Sequence, residues 1–186
     1  MFQSVRNCVR PYGGVFSLLL ALVFLRPLVG LAQGAEYQSM AARITRIAQV
    51  TSWPAGKLGP NSPLVIGVYG NYAIGDFLEM AVQGRRLKGR EVVVKRCAAV
   101  QEVVGCHVLF VSQSEEGRLR DVLRRTVGES ILTIGESANF MDRGGIIQLH
   151  IMEGAAQFTL DFSNLKRSRL EIDPETLALA NPAPRR

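Results

Sequence analysis

Apolar residues fall along this chain in runs whose period keeps changing, and the changes divide it into elements. Cys106-His107-Val108-Leu109-Phe110-Val111-Ser112 is apolar without alternation, which marks a strand buried on both faces, as in a parallel sheet covered by helices. It is placed as the central strand. Two further apolar runs precede it, at Leu64–Tyr69 and Glu91–Lys95, and Ile131–Ile134 follows it, with helix-like segments between. Strands alternating with helices predict an α/β fold, an open, mostly parallel sheet flanked by helices.

The outer segments fit around that sheet. From Glu36 to Val50 the apolar Met40, Ile44, Ile47, Ala48 and Val50 recur at close to helical spacing, with Arg43 and Arg46 on the other side, predicting an amphipathic opening helix. Thr51-Ser52-Trp53-Pro54 ends it, because Pro54 biases Trp53 away from helical angles. Trp53 reads as a cap over the end of the core, with a ligand or partner contact as the alternative. A second helix is predicted over Asp76–Gln83. A third starts at Ser114 as N-cap, with Glu115 and Glu116 in its first turn and Arg118, Arg120, Arg124 and Arg125 toward its end, complementing the macrodipole. Gly128 stops it. After Ile134 the pattern becomes alternating: Gly144–Ile151 and Ala156–Phe162 predict a C-terminal antiparallel hairpin on one edge of the sheet. Ser163–Arg169 and Pro174–Ala180 read as closing helical segments, and Asn181–Arg186 as a frayed tail.

The first residues belong to a different class. Arg6 and Arg10 precede the apolar stretch Val15–Leu25, and Leu31-Ala32-Gln33-Gly34-Ala35 offers small residues for cleavage. This predicts a secretory signal peptide over residues 1–34, followed by a single α/β domain over residues 35–186. The apolar stretch stops at Arg26, short of a comfortable bilayer span. Cys8 precedes it without a small-residue lipobox and leaves with the leader. The leader also takes three of the 22 basic residues and none of the 16 acidic ones, so the mature chain keeps 19 basic against 16 acidic, a net charge of about +3. Arg85, Arg86, Lys88, Arg90, Lys95 and Arg96 cluster without interleaved aromatics, which reads as a solvated turn and strand edge; no nucleic-acid partner is expected.

Export leaves two cysteines, Cys97 and Cys106, in an oxidising compartment, where pairing is the default. Strand geometry argues the other way. If Cys97 ends one parallel strand and Cys106 begins the next, about five residues at roughly 3.3 Å each separate them, beyond the approximately 7 Å Cα limit of a disulfide. Cys97 and Cys106 are therefore a candidate disulfide that requires an early strand end near Val94 and a tight turn, with two buried thiols as the alternative.

Catalytic groups are sparse. No Gly-x-Ser-x-Gly occurs, Ser112 has no base beside it, and His107 and His150 have no acidic partner at motif spacing. No cysteine and histidine stand at zinc spacing, so neither a metal nor a cofactor is expected. Gly70-Asn71-Tyr72-Ala73-Ile74-Gly75-Asp76 is a glycine turn between strand and helix, but no Lys-Ser/Thr follows Gly75, and the phosphate-loop signal is weak. A non-enzymatic binding or regulatory protein is the expectation.

Several fragments, taken in order, resemble the YfiR family of secreted proteins: Tyr37 with Ala48, Thr51-Ser52-Trp53-Pro54, Ile66-Gly67-Val68-Tyr69-Gly70, Gly89–Val94, Cys106–Ser112, Leu132-Thr133-Ile134, Phe140 with Gly144-Gly145-Ile146-Ile147, Phe158–Asp161 and Leu177–Ala180. Cys106-His107-Val108-Leu109-Phe110-Val111-Ser112 and the Gly144-Gly145 segment are the most specific. The resemblance implies a periplasmic α/β domain, often a homodimer, that binds the periplasmic sensor part of an inner-membrane diguanylate cyclase and holds it inactive, lowering cyclic di-GMP signalling and biofilm formation. It also associates cysteine pairs with folding stability and redox sensing. Here Gly67 stands where some relatives carry a cysteine facing the equivalent of Cys106, the segment 140–147 has no cysteine, Asp161 replaces a usual Asn, and Arg43, Ile47 and Val50 replace aromatics of the first helix.

Two sets of site residues follow. The partner interface is expected on the late hairpin and closing helices, where Phe158, Phe162, Leu165 and Leu170 offer apolar area beside Lys166, Arg167 and Arg169. The alternative is a small-molecule-binding module without a cyclase partner, its ligand cleft at the carboxyl ends of the strands near Gly70, Asn71, Ser112 and Gly135.

Overall fold

The computed structural model describes residues 33–70, 73–173 and 181–182. Helix α1 covers residues 33–50 and runs into a two-residue strand, β1 (Thr51–Ser52). Then come β2 (Leu64–Tyr69), α2 (Ala73–Val82), β3 (Arg86–Leu87), β4 (Arg90–Cys97), β5 (Val108–Val111), α3 (Leu119–Thr126), β6 (Leu132–Gly135), β7 (Ile147–Met152), β8 (Ala155–Leu160), α4 (Phe162–Arg167), β9 (Glu171–Ile172) and β10 (Asn181–Pro182). Eight strands form one sheet in the order β10-β8-β7-β6-β5-β2-β4-β3. β4, β2, β5, β6 and β7 are mutually parallel, while β8 runs antiparallel to β7, with Leu149 opposite Phe158. The fold is therefore the α/β architecture expected, hairpin included, with β5 in the interior of the sheet.

The unalternating run at β5 is explained by two cores. Val108 and Phe110 join a large core with Met40, Ile44 and Ile47 of α1, Ile74 and Leu78 of α2 and Leu165 of α4. Leu109 and Val111 join a second core with Leu119, Val122 and Leu123 of α3 and Val103. Successive strand side chains point to opposite faces, and here both faces are covered. Arg96 of β4 reaches across Gly75 to Asp76 and to Glu79 (2.6 Å), tying α2 to the sheet edge.

Several local expectations change. The third helix begins as a 3-10 segment over Gln113–Arg118, and the cap is Ser112, whose hydroxyl accepts from the Ser114 amide; regular α-helix starts only at Leu119. The chain after β5 must fold back over the strand ends before it can lie along the sheet. Thr51-Ser52 also pairs antiparallel with Ile172 and Glu171, an element too short to leave a sequence pattern. Asn181-Pro182, read as part of a tail, extends the sheet beside β8. The helical segment expected at Pro174–Ala180 and the signal peptide over residues 1–34, apart from its last two residues at the start of α1, lie outside the described residues. Among the described residues no helix is long and apolar enough to cross a membrane.

Candidate functional site

The most specific motif residues turn out to be joints of the fold. His107 lies just ahead of β5, 6% exposed. Its Nδ1 accepts from the Val65 amide at 2.9 Å, and its carbonyl accepts both from the Leu132 amide at 2.9 Å and from the Trp53 indole N–H at 3.1 Å. Trp53, set in the bend that Pro54 enforces, packs edge-on against the imidazole at 6.3 Å between ring centres. Burial lowers the His107 pKa below its ordinary value, against a backbone hydrogen bond at Lys57 that raises it. An Nδ1 that accepts is an unprotonated nitrogen, so the neutral ring is the one this site holds.

The Gly144-Gly145 pair serves Phe140. Gly144 has φ +103°, a backbone conformation glycine adopts freely. A methyl group at Gly145 or at Gly135 would overlap the Phe140 ring, which is fully buried between them. Around this ring Thr133 Oγ1 accepts from the Ile146 amide at 3.0 Å, and the buried Asn164 donates to the carbonyls of Met141 (3.1 Å) and Gly145 (2.7 Å). Asn164 sits in α4, whose N-cap is Asp161, its carboxylate accepting from the Asn164 amide at 2.8 Å. An aspartate caps as well as an asparagine, so the Asp161 difference preserves the joint. Sequence reasoning missed Thr133 and Asn164, since a buried polar side chain that satisfies backbone groups has no pattern of its own.

Cys97 and Cys106 come together. A strand's length was expected between them; instead both are fully buried and their sulfurs stand 4.0 Å apart. β4 does not end early, as it runs to Cys97. What brings the sulfurs close is Gly67. Cys106 lies before β5 rather than in it, and its side chain lies across β2 where Gly67 has no Cβ; one added there would meet Cys106 Sγ at 2.5 Å. A lone glycine inside an apolar strand signals such a close approach. The hydrogen bond with Cys97, reinforced by burial, drives the Cys106 thiol far above its ordinary range; the same bond lowers Cys97, the thiol that ionises first.

The expected interface divides. Phe158, Leu165 and Leu170 are 3%, 7% and 4% exposed and belong to the large core, so they offer no surface. Arg43 of α1 covers the Phe158 ring at 5.7 Å while donating to the Ala156 carbonyl at 3.0 Å. Phe162, Lys166, Arg167 and Arg169 remain outside, Phe162 being 49% exposed and Arg167 donating to Asn164. At the expected ligand cleft, the backbone at Gly70 is covered by protein, since a Cβ there would meet Glu115 Cγ at 2.6 Å and Ser114 Oγ at 2.9 Å, and Gly135 is covered by Phe140. The Ser112 hydroxyl donates to Glu136 at 3.3 Å. Asn71 lies outside the described residues. The strand order turns back between β2 and β5, which is where open α/β sheets bind ligands, and here the 3-10 segment occupies the space over Gly70. Among the described residues no three His, Cys, Asp or Glu side chains gather as metal ligands.

These joints lie along the whole domain, and the YfiR/HmsC-like family matches the chain over residues 37–181. The chain belongs to this family. No curated protein matches it. In three dimensions the fold is similar to a conserved domain protein from Vibrio cholerae O1 biovar El Tor str. N16961, with a TM-score of 0.51 and 12% identity over 64% of this chain and 54% of that one. It is also similar to the structure titled the ABC domain in complex with L-Trp from Streptococcus pneumonia, with a TM-score of 0.53 and 9% identity over 76% of this chain and 59% of that one. The chain thus spans little more than half of either structure, and at these identities the likeness is one of fold. Family membership points to regulation, not catalysis.

Proposed function

We propose that the mature chain is a periplasmic regulator that binds the periplasmic sensor part of an inner-membrane diguanylate cyclase and holds the cyclase inactive. The observation that carries this reading is the family match from Tyr37 to Asn181, which takes in most of the opening helix and the sheet as far as the first residue of its last described strand. Its contact surface is placed on α4 and the turn after it, where Phe162 stands exposed beside Lys166 and Arg169. An exposed aromatic flanked by cations has the composition of an interface anchor with a charged rim.

The test is a cross-linked pull-down of the mature chain from the periplasm of its native host, with mass spectrometry of the captured proteins. Recovery of a membrane protein carrying a cytoplasmic diguanylate cyclase domain supports the reading, and recovery of none from a host that expresses such cyclases refutes it. The surface is tested separately with K166E/R169E, both exposed: a folded variant that inhibits as well as the parent moves the interface off α4 without touching the regulatory role.

A further inference from the structure

Helices α1 and α2 pack on the same face of the sheet, and a groove of about 790 Å³ runs between their outer flanks and the β3 turn. That volume is in the range of small-molecule pockets, roughly 300–1,000 Å³. Its floor includes the half-buried Phe77, Ala81 and Leu87, and its rim carries Arg46 from α1 and Arg85 and Arg86 from the turn after α2. No aspartate or glutamate lines it.

The arginines are the telling part. Elsewhere in the domain Arg43, Arg90, Arg96, Arg124 and Arg143 each donate to a carbonyl or a carboxylate, whereas the guanidinium groups of the exposed Arg120, Arg125 and Arg169 bond to no described residue, so it is the apolar concavity beneath the groove's arginines that sets them apart. The guanidinium groups of Arg46 and Arg85 are exposed and make no hydrogen bond or ion pair with any described residue, while that of Arg86 donates to the Gly89 carbonyl at 3.3 Å and stands 3.8 Å from the carboxylate of the exposed Glu91. Arg46 and Arg85 bring two like charges with no carboxylate partner among the described residues to one concavity, and an apolar floor beneath them adds nothing to their solvation. Both features are complemented by one kind of molecule, an anion with an apolar body: guanidinium forks bind a carboxylate in bidentate fashion, and the body covers Phe77 and Leu87. A concave floor does not match a flat membrane surface.

We propose that the α1–α2 groove is a binding site for a small amphipathic carboxylate, held by Arg46 and Arg85 at the rim with its apolar part on Phe77, Ala81 and Leu87. The site is independent of the cyclase reading and lies apart from Gly70, Ser112 and Gly135. It is also apart from the α4 surface.

The experiment uses the full mature chain and decanoate, read by isothermal calorimetry, with decylamine and decanol as cationic and neutral probes of the same length. Saturable decanoate binding near one per chain is expected, weakened about tenfold or more in R46A/R85A as two charge-assisted contacts are lost. R120A/R125A, which removes the same charge from exposed positions on α3 outside the groove, should bind like the parent. Equal weakening in both double variants, or equal binding of decylamine, overturns the proposal. A diazirine-bearing decanoate gives a readout that does not depend on the variants: its adducts should map to peptides of residues 38–49 and 77–87, and mapping elsewhere also overturns it. Sedimentation with anionic lipid vesicles that is lost in R46A/R85A, without decanoate binding, would assign the arginines to a membrane surface instead.

Discussion

Gly67→Ala probes the joint that brings the two cysteines together. The added methyl would stand 2.5 Å from Cys106 Sγ, 3.1 Å from Leu109 Cδ1 and 3.4 Å from Cys106 Cβ, where non-bonded heavy atoms settle at about 3.5–4.0 Å. The sulfur must retreat by about 1 Å, and its retreat is limited by the Cys97 sulfur 4.0 Å away and by a core in which Cys106 and Leu109 are both fully buried. Overpacking of this kind costs about 1–3 kcal/mol. Replacing glycine by alanine returns about 0.4–1 kcal/mol by restricting the unfolded chain, leaving a net loss of about 1–2 kcal/mol. Cys106→Ala removes the atom in the way at the cost of a small cavity, so in that background Gly67→Ala should fall within about 0.5 kcal/mol of neutral, a coupling of about 1–2 kcal/mol. Urea denaturation of the four proteins, under reducing conditions so that no disulfide enters the comparison, measures it. An equal penalty for Gly67→Ala in both backgrounds would refute the idea that the cysteine sulfur is what needs the glycine.

Oxidation with copper-phenanthroline is expected to join Cys97 and Cys106, seen by mass as the loss of two hydrogens, the oxidant taking the electrons. In the reduced native chain both thiols should resist Ellman's reagent until urea is added, since both are fully buried; rapid native labelling would contradict the packing. His107 couples the fold to pH: its native pKa lies below the unfolded value near 6.5, so the stabilisation is complete above about pH 6.5 and is lost as the pH falls through the native value. Urea midpoints in that acid window should drop for the parent and drop less for His107→Gln, and equal slopes would refute the assignment. Trp53→Phe, which keeps an aromatic ring but not the indole donor to the His107 carbonyl, should cost about 1 kcal/mol in thermal denaturation. Phe140→Ala should cost about 3–5 kcal/mol, because the cavity is walled by backbone at Gly135 and Gly145, which collapses poorly.

The elements whose residues face a core were legible in the chain itself. β2 and β5 are unbroken apolar runs because both faces are covered, and α1 shows its helical period because only one side is; burial writes itself into composition whenever an element is long enough to repeat. The α/β architecture and the hairpin were readable for that reason, and so was the family, whose motif residues are the joints of this packing. What escaped depended on which distant residues meet. The gap between Cys97 and Cys106 was judged along the strands, but it is closed across them, by a side chain lying over a glycine in the neighbouring strand. Phe158, Leu165 and Leu170 looked like an exposed apolar face because α1, which covers Phe158 through Arg43, is more than a hundred residues away. The cleft at Gly70 is filled by a segment that a helix pattern placed elsewhere. The groove between α1 and α2 has no signature at all in the sequence, since Arg46 and Arg85 become neighbours of one cavity only when both helices settle on the same face of the sheet. Period and composition report each residue's own burial, and the assignment of neighbours belongs to the tertiary fold.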